Sequence, residues 1–122
     1  MDRFHHLLSP QTYARDSEVL VQVRATEAPG LEPIRSHEVP ERLMERLVAL
    51  GHAYALPVVG LLAASFGCEL NGFQAGELCS EIDFLAGTVD DPALLVQLGP
   101  LREMAATCAQ AHHDLDLWVG WP

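Results

Sequence analysis

The chain has 122 residues, 49% of them hydrophobic, so it can bury a core without disulfides or a structural metal. Its 17 acidic residues outnumber its 7 basic ones, and the formal net charge is −10. Because each contact with a phosphate backbone or an anionic membrane surface would begin with repulsion, we expect no nucleic-acid partner and no membrane partner. A basic protein or a cationic ligand fits the charge better.

Residue usage and cysteine spacing bear on the compartment. All seven basic residues are arginine, and this usage suggests a GC-rich, bacterial genome. The odd set of widely spaced cysteines, Cys68, Cys79 and Cys108, does not resemble a secreted disulfide framework. The first ten residues lack the apolar segment of a signal peptide, and the longest nearly apolar run, 53–66, is too short to span a membrane. We therefore predict a cytoplasmic protein.

The first quarter of the chain contains one strand and a long connection. Residues 1–16 show no clear period, and we expect them to be loosely ordered. Valines at alternate positions predict a strand over 17–25, and Leu20 on its otherwise polar side indicates partial cover on both faces. Two prolines and a glycine with mixed charge predict an exposed loop over 26–39.

Three helices are predicted in the middle of the chain. Pro40 suits a first helical position, leucines follow at helical spacing, and Gly51 is a candidate end. Residues 57–66 contain good helix formers after a proline, which favours a short buried helix over an extended segment. Asn71 with Gln74 fits a capping box, and the helix that it begins is predicted to end at Gly87.

The last third of the chain predicts a long helical region followed by a strand. Asp91 and Pro92 begin the helix, as an acidic cap and a first-turn proline. Gly99–Pro100 lies inside the helical pattern, so we expect either a kink or two successive helices. Alternation over 114–119 then predicts a strand with one apolar face.

Together these elements predict a helix-rich α+β fold. We expect a single domain over 1–122, with four or five helices packed on a small sheet that contains the strands near 17–25 and 114–119. A sheet of those two strands alone would be marginal. Helices must cover it, a third strand must join it, or a second subunit must extend it.

No motif predicts a catalytic residue, a metal site or a bound cofactor. His112 and His113, with Asp114 and Asp116, are the densest group of potential ligands, but they lack the spacing of a zinc site. There is no Gly-x-Ser-x-Gly elbow and no phosphate-binding loop. A cysteine nucleophile would need a nearby histidine base from the fold.

Two acidic side chains of the predicted central helix stand four residues apart. Glu77 and Glu81 share a face, which we interpret as solvated, because no Glu-x-x-His partner motif exists for a two-metal site. The alternative hypothesis is a small-molecule or metal-binding protein. In one form of this hypothesis the protein is an enzyme. Its pocket would be lined by histidines and by Glu77, Glu81 or Asp116. It requires His112 or His113 to converge with another donor.

The carboxy-terminal segment predicts an interaction surface. Trp118 should lie opposite Leu117 on the less buried face of the last strand, and tryptophans are favoured anchors at protein interfaces. The leading hypothesis is therefore a non-catalytic, acidic interaction module. It would be an immunity-like protein that binds a basic partner, or a homo-oligomeric accessory protein. Its candidate interface residues are Asp114, Asp116, Trp118 and Trp121.

Overall fold

A computed structural model describes residues 18–27, 32–62, 67–111 and 114–120. It confirms the α+β class: three α-helices accompany a four-stranded antiparallel sheet. In chain order the elements are β1 (Glu18–Ala25), β2 (Arg35–Pro40), α1 (Glu41–Ala53), a 3-10 turn (Val59–Leu61), β3 (Cys68–Leu70), α2 (Gly72–Thr88), α3 (Pro92–Gln110) and β4 (Leu115–Gly120).

The sheet joins the two predicted strands at its centre. Its order is β2-β1-β4-β3, and each neighbouring pair is antiparallel. The register places Val21 of β1 opposite His37 of β2 and Val119 of β4, with Cys68 of β3 opposite Val119 on the other side. The strands predicted near 17–25 and 114–119 are therefore present as neighbours, and two further strands extend them.

One face of the sheet carries the core. Side chains alternate between the two faces of a strand, so Val19, Val21 and Val23 share a face with Val39 and Leu117. These side chains are buried in one cluster with the apolar faces of all three helices. The described helices therefore pack against this face.

The expected number of helices is wrong for the part of the chain that the structure describes. Three α-helices are present instead of four or five. Of the helix predicted over 57–66, the structure shows a 3-10 turn at Val59–Leu61, while 63–66 lie outside the described residues. Gly99–Pro100 does not split α3, which runs from Pro92 to Gln110. Buried Leu98 and Leu101 flank the proline, and their packing offsets its missing hydrogen bond.

The exposed loop predicted over 26–39 is too long. Arg35–Pro40 forms β2, an edge strand that pairs with β1 through much of its length. Its sequence, RSHEVP, has no apolar alternation that would predict a strand. Val39 is the single buried residue of β2. The loose order expected for residues 1–16 concerns positions outside the described ranges.

The first two helices do not end at the predicted glycines, Gly51 and Gly87. α1 continues through Gly51 to Ala53, and α2 continues through Gly87 to Thr88. A Cβ added at Gly51 would lie 2.6 Å from Cγ1 of Val59 and 2.9 Å from the backbone nitrogen of Gly60. Gly51 therefore allows the 3-10 turn to approach α1 closely, which is a packing role and not a capping one.

The predicted helix starts agree with the structure to within one residue, since the first helix begins at Glu41 and not at Pro40. Pro40 precedes α1 as its cap residue, and Asn71 and Gln74 exchange the two hydrogen bonds of a capping box at α2. Asp91 caps α3: its carboxylate accepts a hydrogen bond from the Leu94 N–H at 3.3 Å. Asp91 is fully buried and also forms an ion pair with Arg46 of α1. This one carboxylate thus begins α3 and links it to α1.

We predict that Asp91→Ala lowers the free energy of unfolding by about 2–4 kcal/mol, because it removes a cap and one partner of an ion pair. The Arg46 side chain is 43% exposed, so water can solvate it in the variant and limit the loss. Urea denaturation followed by circular dichroism measures the change. The exposed neighbour provides the control: Asp90→Ala should stay within about 0.5 kcal/mol of the wild type. Equal stability of the two variants would contradict the role of Asp91.

Candidate functional site

The second face of the sheet is not covered by any of the three described helices. None of its side chains belongs to the core cluster. We call this surface the open face. By register, it consists of Glu18, Leu20, Gln22 and Arg24 on β1, Ser36 and Glu38 on β2, Glu69 on β3, and Asp116, Trp118 and Gly120 on β4.

Trp118 lies at the centre of the open face, opposite Gln22 of β1 and Glu69 of β3. A Cβ at Gly120 would lie 2.8 Å from the indole ring, so glycine at this position allows the ring to lie along its own strand. The Arg24 guanidinium carbon is 4.1 Å from the ring centroid, which is the geometry of a cation–π contact. The indole is half-buried and has a defined orientation.

A row of hydrogen bonds crosses the open face beside this ring. The Arg24 guanidinium donates to Oε1 of Gln22, with Nε at 2.7 Å. The Gln22 amide then donates to Oγ of Ser36 at 3.1 Å. Gln22 is only 8% exposed, so the row holds a buried amide with its polar atoms satisfied. The contacts link β4, β1 and β2 and keep Arg24 over Trp118.

Each of the four strands contributes a carboxylate to the open face. Glu18, Glu38, Glu69 and Asp116 contribute four acidic groups to the open face, whereas Arg24 is its basic group. Arg24 is already engaged with the indole and with Gln22. The surface therefore presents an aromatic centre with an acidic periphery, which suits a cationic ligand.

Two of these carboxylates interact with each other at one end of the open face. A hydrogen bond with Glu38 raises the pKa of Glu18 above its ordinary value, and desolvation adds to the shift, while the charge of His37 opposes it. A shallow depression of about 510 Å³ lies here, lined by Glu18, Leu20, Ser36, His37 and Glu38. The imidazole Nε2 of His37 is also 2.7 Å from Oε1 of Gln97 on α3.

The structure brings together part of the predicted interface. Asp116 and Trp118 both lie on the open face. Asp114 is exposed just before β4, where its carbonyl accepts a hydrogen bond from the Thr26 N–H at 3.0 Å. Trp121 lies outside the described residues. Sequence analysis missed Arg24 and the acidic groups of the other strands, although the alternation in β1 was a signal for its polar face.

The interpretation of Glu77 and Glu81 as one solvated face is wrong for Glu81. Glu77 is exposed, but Glu81 is buried and accepts hydrogen bonds from the N–H groups of Val58 at 3.2 Å and Val59 at 2.8 Å. Glu81 therefore holds the 3-10 turn against α2. Its carboxylate is engaged in this structural contact, whereas Glu77 faces solvent.

The other ligand candidates do not converge in the described part of the chain. No group of three His, Cys, Asp or Glu residues is placed there to hold a metal ion. His112 and His113, on which the pocket hypothesis depends, lie outside the described residues.

The three thiols are poor nucleophiles at neutral pH. Burial raises the pKa of Cys108 to about 12, and the charges of Asp116 and Cys79 add to the effect. Burial likewise raises the pKa of Cys68 and of Cys79, whose Sγ lies 3.7 Å from the Arg102 carbonyl oxygen. Because the thiolate is the reactive form, a raised pKa lowers the reactive fraction of each thiol at neutral pH.

Comparison with known proteins leaves the function open. No protein-family model matches the chain, and no curated protein or solved structure is detectably similar to it. Within the described ranges, no helix has the length and apolar character needed to cross a membrane. The chemistry of the open face is therefore the basis for a functional proposal.

We predict that Glu38→Gln lowers the pKa of Glu18 towards its ordinary value, because the variant removes the neighbouring acid. In the wild type the raised pKa means that the folded state binds more protons than the unfolded state. The free energy of unfolding therefore falls as the pH rises from the unfolded-state pKa of Glu18 through its raised folded-state pKa. Below the unfolded-state pKa the pair has no destabilising effect. NMR titration of the Glu18 carboxyl carbon measures the shift. Glu45→Gln on α1 serves as the control, and an unchanged titration in Glu38→Gln would refute the coupling.

Proposed function

We propose that the chain is a cytoplasmic, non-catalytic interaction module that binds a basic protein surface through its open face. The observation that carries this proposal is the half-buried Trp118, held by Arg24 on a face that also carries four carboxylates and that the described helices leave uncovered. Tryptophan is enriched among the residues that dominate binding energy at interfaces. Its fixed position here reduces the entropy that binding would cost.

The carboxylates favour a basic partner over a second copy of the chain on this face. Peripheral charges of opposite sign steer association and select partners, whereas like charges in an interface are unfavourable. If the open faces of two copies packed together, their acidic groups would face each other and repel. An immunity-like protein that neutralises a basic toxin therefore fits the open face better than an accessory protein that assembles with itself through this face.

The alternative function is binding of a small cation in the depression between β1 and β2. The observation that favours it is the close pair of carboxyl groups, Glu18 and Glu38, beside His37. Oxygen donors of this kind suit hard divalent cations, which usually take six or more ligands. The depression provides few of them, so a small cation is the weaker proposal. Calcium titration by isothermal calorimetry, with Glu38→Gln as the comparison, tests it directly.

An oligo-arginine peptide can probe the main proposal. In a Trp121→Phe background, Trp118 is the single tryptophan, so its fluorescence reports contact at the open face. We expect the peptide to change the emission of Trp118 and its apparent affinity to fall steeply with added salt, because the contributing charges are exposed to solvent. An oligo-glutamate peptide of equal length should produce no change.

Charge-matched variants locate the binding. We expect neutralisation of the four open-face carboxylates, E18Q/E38Q/E69Q/D116N, to weaken binding about tenfold or more, since exposed ion pairs contribute roughly 0.2–1 kcal/mol each. The control E27Q/E32Q/E45Q/D90N removes the same net charge from exposed positions outside the open face. Equal loss of affinity in both sets would show that net charge alone attracts the peptide and would refute the proposed site.

A further inference from the structure

The exposed side of α2 carries a second surface, remote from the open face. Phe73, Glu77, Ser80 and Phe84 follow one another at intervals of four, three and four residues. At about 100° per residue these positions fall within an arc of roughly 60°, and at about 1.5 Å per residue they span roughly 16 Å. We call these four residues the α2 seam.

The α2 seam exposes two phenylalanine rings to solvent. Phe73 is 74% exposed and Phe84 is 45% exposed, while Glu77 and Ser80 between them also face solvent. The Phe84 ring makes an edge-on contact with exposed Tyr54, with centroids 5.4 Å apart. An aromatic side chain therefore lies at each end of the seam: Phe73 at one end, and Phe84 with the neighbouring Tyr54 at the other.

Neighbouring elements border the seam without covering it. On one side α3 contacts α2, where the Cβ position of Gly76 lies 3.7 Å from Cβ of Ala109. On the other side Glu81 holds the 3-10 turn through its backbone N–H groups. The seam is thus a ridge between two packed borders, accessible to another helix.

The order of residues along the seam is self-complementary. Positions 73 and 84, and positions 77 and 80, share one midpoint, between Leu78 and Cys79. When two copies of α2 are placed antiparallel about that midpoint, Phe73 of each copy faces Phe84 of the other. Glu77 likewise faces Ser80, whose hydroxyl can donate a hydrogen bond to the carboxylate.

We propose that a second copy of the chain occupies this surface, in a twofold dimer with antiparallel α2 helices. A twofold contact requires a patch that is complementary to itself, and the seam meets that requirement at all four positions. Its alternation of three- and four-residue intervals is the spacing with which paired helices interdigitate. An unrelated partner would impose no such symmetry on the order of residues.

Charges near the seam are compatible with this pairing despite the net charge of −10. The antiparallel register opposes Glu77 to a serine and not to a second Glu77. Asp83, on the α3 side of α2, is engaged by Arg102, whose Nε and Nη2 lie 2.6 Å and 2.9 Å from its oxygens. These two features reduce the like-charge repulsion at the contact, in which the two Glu77 residues lie about 4.5 Å apart along the helix axes, one on each side of the twofold axis. Phe73 of the second copy would complete an aromatic cluster with Phe84 and Tyr54.

Sedimentation velocity over a series from micromolar to millimolar protein tests the dimer. The seam is short beside stable interfaces, which bury about 1,600 Å² in total, so the expected association is reversible and concentration-dependent. We expect Phe73→Lys and Phe84→Glu to weaken dimerisation at least tenfold each. Val96→Lys is the matched control, because Val96 is 65% exposed on α3 and lies outside the seam. It should dimerise like the wild type.

Mixing the two variants tests the antiparallel register. In a mixed dimer the lysine of F73K faces the glutamate of F84E, and the other end keeps its phenylalanine pair. We therefore expect the equimolar mixture to recover dimerisation that neither variant shows alone. Phe73→Lys changes a highly exposed side chain, so it leaves the fold intact, as circular dichroism can verify. A wild type that stays monomeric, a dimer that both variants leave unchanged, or a mixture without recovery would each overturn the proposal.

Discussion

The three helices of the described ranges pack on the same face of the sheet, and the rest of the described structure depends on that packing. Alternation along β1 sends Val19, Val21 and Val23 into the core and leaves Gln22 and Arg24 on the other side. The face that the described helices leave uncovered carries polar groups that need hydrogen-bond partners. The hydrogen bonds among Arg24, Gln22 and Ser36, with the Trp118 ring beneath the guanidinium, provide such partners within the sheet itself.

Local patterns predicted the parts of the fold that local chemistry determines. Alternation identified β1 and β4, and cap chemistry placed the starts of α2 and α3 at Asn71 and Asp91. Edge strand β2 and three-residue β3 were missed, because pairing with distant strands stabilises them and their own residues carry little pattern. Gly51 was misinterpreted for the same reason, since the contact with Val59 that requires glycine is not local.

The candidate surface was predictable only in part. Trp118 and Asp116 follow from the alternation of their own strand, but the approach of Arg24 to Trp118 depends on the register between β1 and β4. Spacing alone made Glu77 and Glu81 equivalent, while the structure separates them: one faces solvent and the other accepts two backbone hydrogen bonds in the interior. Identical residue types on one helix thus acquired different roles from the segment that packs beside them.

The central pairing of β1 with β4 has a consequence for how the fold forms. These neighbours come from opposite ends of the described chain, so the middle of the sheet depends on contacts between residues about as far apart in sequence as the fold allows. Closing such a long loop is entropically unfavourable before the pairing compensates for it, and topologies of this kind fold slowly. During synthesis, β1 emerges early and its partner late. Until β4 arrives, the valines of β1 lack half of their cross-strand neighbours, and the nascent chain is exposed to aggregation.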